Sequence, residues 1–197
     1  MTKAFDFWFD VGSPAAYLAW TQVPAIARET GATVNYKPFL LGGVFQAIGN
    51  KSPMEVPAKG RYVLADFERH ARHYGVPFKA NPNFPISTLM LMRGATGLQM
   101  RDADKMIPYV DAVYRAFWAE GRNMSDPTVV GEVLQAVGFD AGEILQLTAD
   151  AEVKERLKSD TQAAVARGVF GAPTFFVGDD MYWGQDRLDF LRRALQA

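Results

Sequence analysis

Phe5-Asp6-Phe7-Trp8-Phe9-Asp10-Val11-Gly12-Ser13-Pro14-Ala15-Ala16 joins a strand to a helix, and the reading of that junction decides the fold. Phe5, Phe7, Phe9 and Val11 alternate with period two, the run is short and aromatic, and Gly12 closes it, so residues 4 to 11 read as a strand. Ser13 supplies an N-cap and Pro14 the first helical position, where its missing N–H costs nothing. The helix is predicted to run to about Thr30 and stop at Gly31, with a bend at Pro24. Thr33 to Phe39 reads as the next strand, with Val34 and Tyr36 as its inward pair. Together these make a β-α-β unit, whose crossover places both strands parallel in one sheet.

The other end of the chain mirrors this opening. Gly171-Ala172-Pro173 leads into a strand at Thr174-Phe175-Phe176-Val177, a turn at Gly178-Asp179-Asp180, a short strand at Met181-Tyr182-Trp183 and a final helix from about Asp186 to Leu195. A β-β-α ending joined to a β-α-β opening predicts an α/β fold with a four-stranded mixed sheet. Between Gly42 and Gly168 the strand signals vanish. Helices are predicted at Pro57 to Tyr74, Thr88 to Met100, Asp104 to Glu120, Pro127 to Val137, Ala141 to Thr148 and Glu152 to Arg167, with Asp126-Pro127 as a second cap and first-turn proline. An all-helical insertion of about 120 residues is too large to be a loop. The expected division is 1–45 and 169–197 for the two parts of the sheet domain and 46–168 for the helical insertion.

The chain has 197 residues, 49% of them apolar and 22% charged, which suits one domain with a large insertion. A net charge of −1 offers no basic footprint for nucleic acid or an anionic membrane. Asp6 and Asp10 interrupt the first apolar stretch and no span approaches the length of a membrane helix, so cytoplasmic residence is the expectation. With no cysteine, structural disulfides and thiolate metal sites are excluded.

Four constellations carry the chemistry, and each has an ordinary structural reading beside the functional one. Ser13 caps a helix, yet a helix N-terminus after a strand also offers free N–H groups and a positive dipole end to an anion, and a serine hydroxyl adds one more donor. Neither His70 nor His73 can be placed beside it, so a Ser-His-Asp triad is poorly supported. Pro173 stands directly before an inner strand, where it belongs at the first residue or in a special bend, and an ordinary proline turn is the plain reading. Gln185 and Asp186 cap the last helix or face the charged ends of a small peptide. Gly42 to Pro53 reads as a glycine-rich loop that lacks phosphate-loop spacings, from which Asn50 or Lys51 reaches into a cleft. His70 and His73 have i, i+3 spacing without a third ligand, so a solvent-facing helix surface and no metal are expected. Met90, Met92, Met100 and Met106 read as core filler.

The motifs DVGSPAAYLA (10–19), FLLGGVFQAIGNKSP (39–53), PAKGRYVLADFERHA (57–71), GVFGAPTFFV (168–177) and WGQDRLDFL (183–191) together resemble the 2-hydroxychromene-2-carboxylate isomerase family, relatives of the kappa-class glutathione transferases. The resemblance spans essentially the whole chain and implies a thioredoxin-like fold, bound glutathione and a homodimer. In such a fold Ser13 holds the place of the first cysteine of a redox pair and Ala16 that of the second, so the reactive thiol has to come from outside. The resemblance further implies that Ser13 contacts the glutathione sulfur, with Pro14 and Ala15 beside it. It implies that Asn50 contacts the tripeptide, that a cis Pro173 turns Ala172 toward Ser13 and pairs it with the cysteinyl unit, and that Gln185 and Asp186 hold the γ-glutamyl end. Ser13-Pro14-Ala15 departs from the Ser-Pro-Tyr of many relatives.

The activity implied is the interconversion of 2-hydroxychromene-2-carboxylate and trans-o-hydroxybenzylidenepyruvate, a step of naphthalene-type aromatic degradation. Lys51, Tyr62 and Phe84 are candidates for lining the pocket of this aromatic carboxylate. A free thiol with an ordinary pKa of ~8.5 is mostly protonated at neutral pH, and the helix terminus with the Ser13 hydroxyl is expected to lower it by about one to two units. A glutathione transferase or peroxidase using the same pocket, and a non-catalytic glutathione-binding module, are the alternatives.

Overall fold

The computed structural model describes residues 3–197. Four strands, β1 (Ala4–Phe9), β2 (Thr33–Pro38), β3 (Thr174–Val177) and β4 (Asp180–Trp183), form one sheet among the described residues, in the order β2-β1-β3-β4. β1 and β2 are parallel with Phe7 opposite Tyr36, while β1 and β3 run antiparallel with Phe7 opposite Phe175. β3 and β4 are antiparallel through the turn at Gly178 and Asp179. This is the mixed sheet expected from the two ends of the chain.

Helix α1 (Pro14–Thr30) follows β1 and continues through Pro24 to Gly31, whose φ of 67° suits a residue without a Cβ. Its Trp20 packs 5.1 Å from Phe9 and 5.0 Å from Tyr36, and Phe7 stacks on Phe175 at 4.8 Å. The aromatic alternation of β1 is therefore one wall of the core. Phe7, Phe9, Leu18 and Ile26 are all fully buried in it, each worth about 1.5–3 kcal/mol of transfer free energy.

Between β2 and β3 the chain is helical: α2 (Leu41–Ile48), α3 (Pro57–Tyr74), α4 (Leu89–Arg101), α5 (Ala103–Tyr114), α6 (Pro127–Ala136), α7 (Ala141–Ala149) and α8 (Ala151–Ala166). A wider π turn over Arg115–Ala119 continues α5, and α9 (Leu188–Gln196) closes the chain after a 3₁₀ turn at Gln185–Arg187. One expectation fails here, because the first half of the glycine-rich stretch is a helix rather than a loop. Gly42 and Gly43 lie in the first turn of α2, and a Cβ on Gly43 would approach the Thr161 methyl to 3.1 Å, so a small residue lets α2 lie close on α8. The stretch leaves helical geometry only at Gly49, with φ 68°. Of the four methionines read as core, Met92 and Met106 are buried but Met90 is exposed.

The helices hold the β1–α1 junction in place. The Trp118 indole N–H donates to the Val11 carbonyl at 2.8 Å, the Tyr114 hydroxyl to the Asp10 carbonyl at 3.2 Å, and the Val11 N–H to the Met92 sulfur at 3.4 Å. The turn that carries Ser13 is thus fixed by α4, α5 and the π turn as well as by its own strand.

Candidate functional site

Ser13 is the N-cap of α1, in extended geometry, and only 6% exposed. Its Oγ accepts from the Ala16 N–H at 3.1 Å and donates to the Ala172 carbonyl at 2.7 Å. The first reading of this serine as a cap is therefore correct, and the expectation that Ala172 turns toward it is correct as well. The Ala172-Pro173 peptide is cis, as is Phe84-Pro85. The proline at 14 carries no N–H and Ser13 takes that of Ala16, so the Ala15 N–H is the first-turn donor left over. Neither it nor the Ala172 N–H donates to another group among the described residues. Both residues line one cavity of about 450 Å³ together with Ser13.

That cavity is walled by apolar side chains, among them Phe45, Met54, Val63, Phe67, Phe84 and Trp183. Of the residues singled out in the sequence, Ser13, Pro14, Ala15, Asn50, Lys51, Phe84 and Ala172 all line it. Asn50 donates from Nδ2 to the Phe170 carbonyl at 3.2 Å, which ties the end of α2 to the segment before β3. Trp183 lies over Gly171 so closely that a Cβ there would sit 2.4 Å from the indole nitrogen. Pro173 lies outside that lining, and so does Tyr62. Tyr62 is 63% exposed on the outer side of α3, with the Arg69 guanidinium 5.7 Å from its ring, and it does not line the cavity, because the inward face of α3 is Lys59, Val63 and Phe67.

Gln185 and Asp186 line a second, polar cavity of about 330 Å³, which also takes in His70, His73, Tyr74, Asp189 and Arg192. α3 borders both cavities, the first with Lys59, Val63 and Phe67 and the second with His70, His73 and Tyr74. Gln185 is 6% exposed, and the Tyr74 hydroxyl donates to its carbonyl at 2.8 Å. Burial pushes the Tyr74 phenol up to about 12, aided by the negative charges of Asp189 and Asp186. Tyr74 is thus a hydrogen-bond donor throughout the physiological range. Asp186 is half-exposed and pairs with Arg187 at 2.7 Å. His73 is exposed, as expected of a solvent-facing helix surface, while His70 is partly buried, and both line this cavity. Among the described residues no three His, Cys, Asp or Glu side chains gather as metal ligands.

Beyond the apolar walls, two ionisable residues at the site are absent from the sequence-derived candidates. Lys59 lines the main cavity, and its i, i+4, i+8 spacing with Val63 and Phe67 was the available signal. Asp10 lies behind the cavity, 1% exposed. Its carboxylate accepts from the Gly12 N–H and the Leu41 N–H, each at 2.8 Å, and from the Thr88 hydroxyl at 3.0 Å. Burial pushes the Asp10 carboxyl above its ordinary value, against the opposing pull of these three bonds. The signal in the sequence is a carboxylate inside an otherwise apolar strand end.

A family model described as DSBA-like thioredoxin domain matches residues 4–196. A 2-hydroxychromene-2-carboxylate isomerase of Sphingobium xenophagum is 38% identical over 198 residues, covering 99% of either chain. Glutathione S-transferase kappa 2 of Caenorhabditis elegans is 29% identical over 206 residues, covering 96% of this chain and 92% of its own. The solved structure of a selenomethionine 2-hydroxychromene-2-carboxylate isomerase superposes with a TM-score of 0.83 at 33% identity, covering 98% of this chain and 94% of that one.

Proposed function

Because the chain belongs to the DSBA-like thioredoxin domain family, and within it to the 2-hydroxychromene-2-carboxylate isomerases, we propose that it is a glutathione-dependent isomerase interconverting 2-hydroxychromene-2-carboxylate and trans-o-hydroxybenzylidenepyruvate. The observation that carries this reading is the meeting of Ser13 with Ala172 at a helix N-terminus that opens into an apolar cavity. In a chain without cysteine, that arrangement offers donors to a thiolate and no thiol of its own.

The residues present fit glutathione. Ser13 and the free N–H groups of Ala15 and Ala172 suit a sulfur anion and an extended peptide, Asn50 stands beside them, and Gln185 with Asp186 in the polar cavity suits the charged γ-glutamyl end. When bound, glutathione supplies a nucleophilic thiol that adds to a conjugated double bond and leaves again, so that the bond between becomes free to rotate. The protein holds the anionic form of that thiol by the dipole of α1 and the Ser13 hydroxyl. Phe45, Phe67, Phe84 and Trp183 exclude water and give an aromatic ring flat surfaces to rest on. Lys51 and Lys59 are the cations at this cavity, and we assign them to the carboxylate of the substrate. Lys51 already pairs with Glu55 at 3.7 Å, which leaves Lys59 the freer of the two.

The reading extends to a homodimer in the cytoplasm, where reduced glutathione is available. Ile48, Val56 and Tyr62 are large apolar residues left exposed, and we assign them to the contact with a second copy. No helix of the described residues is long and apolar enough to cross a membrane. A kappa-class-like transferase is the second reading, favoured by the full-length likeness to the nematode protein. Assay of the purified protein on the chromene carboxylate, with and without glutathione, tests the proposal. Turnover that requires glutathione is expected; no turnover, with conjugation of an aryl halide instead, would move the protein to the transferase reading.

A further inference from the structure

The three donors that meet the Asp10 carboxylate come from three separate segments around the main cavity. Gly12 belongs to the turn that carries Ser13, Leu41 opens α2 and lines the cavity with Phe45, and Thr88 precedes α4 at the end of the loop that holds Phe84. The backbone of Asp10 takes part too, since its carbonyl accepts from the Ser13 N–H at 3.0 Å and from the Tyr114 hydroxyl. A fully buried carboxylate is costly, and valine or leucine would serve the apolar strand end better if packing were the only demand. Among the described residues no cation pairs with it; burial and these three hydrogen bonds act on its ionisation.

We propose that Asp10 is a positioning residue for catalysis: one carboxylate clamps the β1–α1 turn, the start of α2 and the start of α4, and so holds the first-turn donors of α1 and the opposite cavity wall in one geometry. A carboxylate is needed because two of the donors are backbone N–H groups that cannot reverse their role. In asparagine the single oxygen satisfies Gly12, and the amide nitrogen then meets the Leu41 N–H, donor against donor. The Thr88 hydroxyl can turn round and accept; the backbone of Leu41 cannot. The clamp is a property of the fold, while its consequence for a thiolate rests on the glutathione reading.

Two measurements on Asp10→Asn separate those levels. Amide hydrogen exchange is expected to quicken by about tenfold over Gly12–Ala16 and Leu41–Val44 and to stay unchanged in β3 and β4, as loss of one local hydrogen bond dictates. Ultraviolet absorbance of the thiolate, titrated with glutathione bound, is expected to show ionisation moved upward by about half to one pH unit, with kcat falling about tenfold and KM for glutathione little changed. Thr88→Val, close in shape and leaving both backbone donors, is expected to move each readout the same way by less, and it carries the test if Asp10→Asn does not fold. Unchanged exchange in the two segments overturns the clamp. Altered exchange with unaltered or lowered thiol ionisation and intact kcat reduces Asp10 to a structural residue and overturns the catalytic part. If the unsubstituted protein binds no glutathione, the glutathione reading falls and the exchange measurement alone decides the clamp.

Discussion

Replacing Ser13 by alanine removes two hydrogen bonds at once, the one its oxygen accepts from the Ala16 N–H and the one its hydroxyl donates to the Ala172 carbonyl. Loss of the cap costs about 1 kcal/mol, and a buried carbonyl left without its donor costs about 1–2 kcal/mol more. For a chain of this size that total of about 2–3 kcal/mol lowers Tm by roughly 4–12 °C. The effect on chemistry is smaller than the sequence alone suggests. The hydroxyl has one proton, and giving it to a thiolate takes it from Ala172. The gain is the difference between a charge-assisted bond of about 1.5–3 kcal/mol and a neutral one of about 0.5–1.5 kcal/mol, so about 1 kcal/mol. That equals less than about one pH unit in the ionisation of a bound thiol. Calorimetry of unfolding and ultraviolet titration of glutathione bound to Ser13→Ala read the two effects. A rise of two units or more, or an unchanged Tm, would refute the reasoning, since the first requires a hydroxyl free to serve the sulfur and the second a Ser13 that holds nothing.

Asp186→Asn leaves stability within about 0.5 kcal/mol, because the half-exposed pair with Arg187 contributes little, but weakens glutathione binding about tenfold through loss of a charge-assisted contact; equal affinities in titration calorimetry would remove Asp186 from the γ-glutamyl end. Gly171→Ala places a methyl 2.4 Å from the Trp183 indole nitrogen, so the half-exposed ring must move and KM for the aromatic carboxylate rises while Tm falls by only a few degrees. An unmoved KM would show that Trp183 is no part of the working cavity wall. Burial raises the Asp10 carboxyl above 3.8, so the folded protein holds that proton more tightly than the unfolded chain does. The stability of the unsubstituted protein relative to Asp10→Asn is therefore greatest below pH 3.8 and declines as pH rises through the folded-state value, flat thereafter. Denaturant unfolding across this range measures the difference, and an advantage that grows with pH contradicts the burial of the charge.

The strands and most of the helices were legible because their signals are local. Ser13-Pro14 at one end of α1 and Gly31 at the other bound it to the residue, and Asp126-Pro127 did the same for the start of α6. The stretch read as a loop from Gly42 failed for a tertiary reason: its glycines suit a close approach to Thr161, 118 residues further on from Gly43, rather than a flexible turn. At the site, the motifs name Ser13, Asn50 and Ala172, which line one cavity, and Gln185 with Asp186, which line a second; that α3 borders both is a matter of packing that no motif carries. Tyr62 and Lys59 differ by three positions on one helix, and only the packing of α3 decides that the lysine faces inward and the tyrosine outward.

By itself, then, the sequence determined the β-α-β opening, the β-β-α ending, a capped helix at Ser13 and the absence of any thiol, since alternation, capping and composition are properties of neighbouring residues. Tertiary structure alone decided that the Ser13 proton is already given to Ala172, 159 residues away, and that Asp10 gathers Gly12, Leu41 and Thr88 into one clamp. Those choices depend on which distant donors the folded chain brings to a buried oxygen, and no local pattern carries that information.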